Sequence, residues 1–278
     1  MTKKIKIISV LLIIAIIIGS GVYVADLFLG YKAPEIRKLS DSNIKNIEEI
    51  KLTAHRGFSG IAPENTIAAF EKAAEYKFYA AECDVHLTKD GVWVIHHDDN
   101  IFKLTNGNKN ILEATYEELQ EYVIDNGVNV EDYPNQKIPT LEEFLVVCTD
   151  MEIVPQIEIK SGSEEKLQEI LDLLDKYELR EKAIIISFNL EMIKTVRELD
   201  EKIEIWYLVG EITDAEIKEC VNNNFALAFN HSDNEAEVIK KASEAQIKLC
   251  AWTVDDLEKI EWLYNLGVKY ITTNAIIY

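Results

Sequence analysis

Apolar runs of strand length alternate with amphipathic stretches along most of this chain, and eight such runs can be counted. They fall at 51–55 (KLTAH), 79–85 (YAAECDV), 153–159 (IVPQIEI), 183–188 (AIIISF), 203–209 (IEIWYLV), 225–229 (FALAF), 248–253 (KLCAWT) and 268–273 (VKYITT). Between most of them lie stretches such as 64–76, 164–177, 213–223, 234–245 and 256–266, with apolar residues at helical spacing. Strand–helix alternation implies parallel strands, and eight repeats of it predict a closed (β/α)8 TIM barrel of the α/β class. Residues 101–139 interrupt the rhythm and read as a small loop-and-helix insertion after the second strand. The chain stops at Tyr278, so the usual helix after the eighth strand is missing, and the stalk or another element is left to cover that side.

The N-terminus belongs to a different regime. Lys3, Lys4 and Lys6 precede Ile7–Ala25, nineteen residues without a charge. That length crosses a hydrocarbon core as a helix. Neither Gly19-Ser20-Gly21 nor Tyr23-Val24-Ala25 makes a good signal-peptidase site, and no cysteine follows the run. The expectation is an uncleaved transmembrane anchor within 1–30, a polar stalk over 31–50 and the barrel over 51–278. Lysines before the span place the N-terminus in the cytoplasm and the catalytic domain outside the cell, a single-pass arrangement.

The formal charge is -20, and the leading lysines lie outside the barrel, so the domain is strongly acidic. Nucleic acid and anionic lipid surfaces are poor partners for it as a whole, and no obligate protein partner is evident. Cys83, Cys148, Cys220 and Cys250 have no paired spacing and sit in apolar surroundings, which reads as core thiols.

Barrel chemistry gathers at the C-terminal ends of strands. There the first run ends in His55-Arg56-Gly57, the second carries Glu82 and Asp84, and the third ends in Glu158-Ile159-Lys160. The seventh carries Trp252, read as a substrate wall, while His231 after the sixth reads as a loop residue. Glu82 and Asp84 share one face of their strand. Across the hairpin stand His96 and His97. A two-residue turn at Asp90-Gly91 sets Asp84 opposite His97 and leaves His96 facing outward; a three-residue turn, Lys89 to Gly91, brings His96 in instead. The two-residue turn is the expectation, so His97 is taken as the working histidine. Carboxylates crowded inside a fold need a cation or a proton between them. With Glu158 the set is all oxygen, which suits Mg²⁺ or Ca²⁺ better than zinc.

Taken in order, "AHRGFSGIAPENTIAAFEKA", "ECDVHLTKDG", "IHHDD", "IEIK", "ISF" and "AWTVDD" resemble the glycerophosphodiester phosphodiesterase family over about residues 51 to 273. The resemblance implies a (β/α)8 barrel that hydrolyses glycerophosphodiesters, small or polymeric, with a divalent cation. It implies His55 and His97 as the acid–base pair, Glu82, Asp84 and Glu158 as metal ligands, and Arg56 and Lys160 as phosphate contacts. Which histidine is base and which is acid stays open, as does whether water or a neighbouring glycerol hydroxyl attacks. The Pro63-Glu64-Asn65-Thr66 turn reads as support for the site. Two departures from the family pattern are Asn274, where an aspartate is usual after the last strand, and Lys103-Leu104, where an arginine often follows the HD motif. Alternatives on the same barrel are a sphingomyelinase-D-like phospholipase and a non-catalytic binding barrel.

Overall fold

The last long strand of the sheet pairs with the first, and this closure determines where every candidate residue lies. The computed structural model describes residues 31–278. The barrel strands are β1 (Lys51–Ala54), β2 (Ala80–Leu87), β3 (Val154–Ile159), β4 (Ile184–Ser187), β5 (Glu204–Val209), β6 (Ala226–Asn230), β7 (Leu249–Trp252) and β8 (Tyr270–Thr273). Each is parallel to its neighbours in sequence order, and β8 returns to β1 with Thr273 opposite Ala54. All eight expected runs are therefore strands of one closed barrel.

Both faces of these strands are buried, as a parallel sheet requires. Leu52, Cys83, Val85, Ile157, Ile185, Leu227 and Ile271 face the helices and form the main core. The barrel interior is split. Ile184, Ile186, Trp206, Leu208, Ala226 and Ala228 fill one sector with apolar atoms. The residues of β1, β2, β3 and β8 that are buried but polar, including Thr53, Glu82, Asp84, Gln156, Glu158 and Thr272, form the other. That polar sector is where chemistry can happen.

Helices 67–75, 141–150, 167–176, 190–199, 214–223, 236–244 and 257–265 follow strands β1 to β7. Several start on a capping side chain, such as Thr66 accepting from the Ala69 N–H and Thr140 within a capping box. Each such cap is worth about 1 kcal/mol.

After β8, Ile276–Ile277 pairs in parallel with Arg37–Lys38, and Leu39 and Ile50 are buried against the barrel. The segment expected to be a stalk is thus largely part of the barrel's wall: Leu39 and Ile50 belong to the main core, and Ile36, Ile44 and Ile47 pack against it. The insertion shares a small core with the hairpin strand Trp93–Ile95, in which Val94 meets Ile101, Ile111, Ala114, Leu119 and Ile138. Among the described residues no helix is long and apolar enough to cross a membrane, and the Ile7–Ala25 span lies outside them. All four cysteines are buried and unpaired.

Candidate active site

The register of β2 against β3 places Asp84 level with Glu158, and Glu82 one pleat earlier. One carboxylate oxygen from each of Glu82, Asp84 and Glu158 lies within 4.8 Å of the other two. All three side chains are buried. Burial, then repulsion from Asp84, raises the Glu158 carboxyl to about 7. Burial and the charges of Asp84 and Glu158 push Glu82 well above the usual carboxylate range. For Asp84 burial acts upward, but Arg56 and Lys160 outweigh it and hold the group low.

Two cations answer this cluster. Lys160 Nζ lies 2.9 Å from Glu158 and 3.6 Å from Asp84. Arg56 Nε lies 3.5 Å from Asp84, and its guanidinium also pairs with Glu64 at 2.8 Å. Four carboxylates thus face two cations, which leaves an excess of two negative charges once all four are ionised. Glu82 Oε2 accepts the Arg56 backbone N–H at 2.7 Å, while Glu82 Oε1 is buried without any partner. An orphaned carboxylate oxygen, a hard all-oxygen donor set and a charge excess of two together fit a divalent cation.

The loop after β1 is folded tightly to make these contacts. Arg56 and Gly57 both take positive φ, 56° and 73°. A Cβ on Gly57 would lie 2.7 Å from the Ala69 backbone, so only glycine lets the loop tuck beneath its helix. Asn65 supports Asp84 from behind: its Nδ2–H donates to Asp84 Oδ2 at 2.8 Å, and its Oδ1 accepts the Asp84 N–H at 3.3 Å. The Pro63–Thr66 turn is structural support in this concrete sense.

The hairpin differs from the expected one. Val85 faces Ile95 and Leu87 faces Trp93, so the turn holds three residues, Lys89 to Gly91. Of these only Gly91 has positive φ, 83°, whereas the expected two-residue turn needs it at both positions. Asp90 is held instead by the Thr88 hydroxyl at 2.6 Å and the Tyr116 N–H at 3.0 Å. His96 is therefore the residue level with Asp84, to whose carbonyl its N–H donates at 3.0 Å. Yet His97 is the one that reaches the site. The strand ends at Ile95, and beyond it alternation no longer dictates direction. His96, expected to face outward, is buried with Nδ1–H donating to the Asp98 carbonyl at 2.8 Å. His97 Nδ1–H donates to Asp98 Oδ1 at 2.7 Å, a bond that pulls the Asp98 carboxyl down to about 2.

A cavity of about 200 Å³ joins these groups. His55, Arg56, Glu82, His97, Glu158 and Lys160 line one side, and Ile186, Phe188, Leu208, Ala228 and Trp252 line the other. Phe188 and Trp252 meet edge to face with ring centres 5.6 Å apart. Of the eight residues singled out in the sequence, seven line this space, and the eighth, Asp84, sits behind Arg56 and Lys160. His231 does not line it. Sequence reasoning missed Phe188 and the direct contacts of Asn65 with Asp84 and of Asn274 with His55 (Nδ1 to Oδ1, 2.8 Å). The last was accessible in principle, because closing a barrel puts the residues after its last and first strands side by side.

The family model for the glycerophosphoryl diester phosphodiesterases matches residues 55–277. The chain belongs to that family. It is 34% identical over 230 residues to a glycerophosphodiester phosphodiesterase of Caldanaerobacter subterraneus subsp. tengcongensis, covering 80% of this chain and 92% of the relative. A Bacillus subtilis glycerophosphodiester phosphodiesterase is 28% identical over 267 residues, covering 88% and 90%. Among solved structures, an Oleispira antarctica phosphodiesterase in complex with the product sn-glycerol-3-phosphate superposes with a TM-score of 0.75 at 26% identity, covering 86% of this chain and 96% of that one. As a glycerophosphodiester phosphodiesterase, this protein is a phosphoric diester hydrolase on a TIM barrel, with an acidic cluster able to hold the divalent metal.

Proposed function

We propose that this glycerophosphodiester phosphodiesterase releases glycerol phosphate and an alcohol at the outer side of a membrane, with Mg²⁺ or Ca²⁺ held by Glu82, Asp84 and Glu158. The observation that carries the reading is the joint placement of Glu82, Glu158, two cations and two histidines around one cavity, with Asp84 completing the acidic cluster behind them. A divalent cation bound there would neutralise charge on the non-bridging phosphate oxygens.

The chain's own groups supply the rest. Arg56 and Lys160 face the same space and can accept an anionic phosphate as it displaces their carboxylate contacts. His55 is held neutral down to about 4 by burial and then by Arg56, so at neutral pH it is ready to take a proton from the attacking oxygen. His97, with the Asp98 carboxylate on Nδ1, is assigned the donor to the leaving alkoxide. The attacking oxygen belongs either to water or to the neighbouring glycerol hydroxyl. Trp252 and Phe188 form the wall against which the alcohol portion rests.

The uncharged Ile7–Ala25 span supports the membrane side of the proposal, keeping the barrel near phospholipid debris and glycerol-phosphate polymers. Product analysis of the full chain against glycerophosphocholine, glycerophosphoethanolamine, polyglycerol phosphate and a choline or ethanolamine lysolipid, with Mg²⁺, Ca²⁺ or chelator, tests the reading. Release of glycerol phosphate from at least one substrate supports it; release of a choline or ethanolamine from lysolipid alone favours the sphingomyelinase-D-like alternative.

A further inference from the structure

Asn274 follows β8 directly, and the pairing of Thr273 with Ala54 sets it beside His55, 219 residues away in sequence. Its Oδ1 lies 2.8 Å from His55 Nδ1 and also accepts the Ser59 hydroxyl at 2.9 Å. Its Nδ2–H donates to Asp255 Oδ2 at 2.7 Å. Asp255 is itself fixed, since Oδ1 accepts both the Asn274 backbone N–H and the Thr273 hydroxyl, each at 2.7 Å. The loop carrying Ser59 comes so close that a Cβ on Gly60 would lie 2.1 Å from the Asn274 carbonyl oxygen.

A side-chain amide has one donating and one accepting end. Asp255 takes the donating end. The accepting end must then face His55, and Nδ1 must carry a proton to meet it. Nε2 is left as the lone-pair nitrogen on the side of the cavity that His55 lines.

We propose that Asp255 and Asn274 form a relay that locks His55 in its Nδ1–H tautomer and aims Nε2 at the substrate, which makes Asn274 a positioning residue and Asp255 the group that stops its amide from flipping. The proposal rests on His55 being one of the two acid–base residues. It also gives the amide a physical reason: a carboxylate at position 274 would accept the same Nδ1–H, but would stand against the Asp255 carboxylate at the distance of a hydrogen bond.

The tests are kinetic and spectroscopic. Asn274→Ala should lower kcat by roughly 10- to 100-fold, the range for losing a group that orients a functional histidine, with little change in KM. Asp255→Asn frees the amide to turn and should also lower kcat. Asn274→Asp should move the acidic limb of the kcat/KM profile to higher pH, because an anion then faces the ring. Arg56, Asp84 and Glu64, the other charges around His55, are the same in all these variants. The exchanged pair Asp255→Asn/Asn274→Asp should recover turnover, because the new carboxylate accepts from both neighbours. Imidazole ¹⁵N shifts of the wild-type protein should report Nδ1–H for His55, and this reading does not depend on any variant folding. An Nε2–H tautomer would overturn the relay. So would wild-type kcat and pH profile in Asn274→Ala and Asp255→Asn while His55→Ala is inactive. Turnover by His55→Ala at the wild-type rate would instead remove the reading on which the relay depends.

Discussion

Asp84 and Glu158 stand level on adjacent parallel strands, so their carboxylates leave the sheet on the same face and meet inside the barrel. Burial and that proximity raise Glu158 from its ordinary 4.5 to about 7. An acid whose folded pKa is raised binds more protons folded than unfolded, so its contribution to stability falls as pH rises through the interval. In chelator, the thermal midpoint of the wild type should therefore drop relative to Glu158→Gln between pH 4.5 and about 7. Added divalent cation should reverse the drop. A wild-type midpoint that gains on Glu158→Gln over that range would contradict the assignment.

Glu82 Oε1 is buried with no partner, so Glu82→Gln removes an anionic ligand with almost no change of shape. Turnover should fall by roughly 100-fold or more through lost metal affinity. The unfolding midpoint in chelator should be unchanged or higher at neutral pH, because a repulsion has been relieved. Calorimetric titration with Mg²⁺ and Ca²⁺ separates weakened binding from damaged folding.

His97→Ala should cost turnover on the order of 10²- to 10⁴-fold, as expected for loss of a proton-transfer group. His96→Ala should leave kcat nearly intact and lower stability by about 1–3 kcal/mol, since it strips the Asp98 carbonyl of its donor. Comparing kcat and urea midpoints for the two variants checks both halves.

These two histidines also mark where sequence reasoning reaches its limit. Periodicity located all eight barrel strands, because burial of both strand faces leaves a continuous apolar trace. The crowding of acids on β2 and β3 was equally visible, since alternation within a strand is rigid. The hairpin register was not: Asp90-Gly91 favours a two-residue turn locally, but the bond from Tyr116 to Asp90 comes from the insertion and tips the loop to three. The register that points to His97 does not form, whereas the family resemblance points to it independently; it reaches the site because the chain leaves the strand at Ile95. The segment over 31–50 reads as a stalk because it is polar and short of glycine. Its apolar residues find their partners only on the folded barrel, which no neighbour in sequence reveals. Asn274 looked like a mere departure from pattern, since its partner is set by barrel closure rather than by neighbours in sequence.

Asn65 gives Asp84 a donor from its side chain and takes the Asp84 N–H in return. Asn65→Leu should destabilise the protein by about 1–3 kcal/mol by leaving buried polar groups unpaired. It should also weaken metal affinity roughly 10- to 100-fold, because the ligand loses its orienting partner. Metal titrations monitored by the thermal midpoint would detect both; unchanged affinity would mean that Asn65 only supports the loop.

If the proposed anchor and orientation hold, protease added to wall-stripped intact cells should degrade the barrel while leaving the N-terminus membrane-bound, the outcome that the lysines before Ile7–Ala25 favour. Protection of the barrel would reverse the orientation, and a soluble form beginning near residue 22 or 26 would reveal a cleaved signal peptide.

The most direct test of the account is the metal dependence of the full chain acting on a glycerophosphodiester. Protein stripped with chelator should release no glycerol phosphate, Mg²⁺ or Ca²⁺ should restore release, and Glu82→Gln should not recover with either ion at concentrations that saturate the wild type. Undiminished turnover by the chelated wild type, or full recovery of Glu82→Gln, would contradict a cation held by Glu82, Asp84 and Glu158.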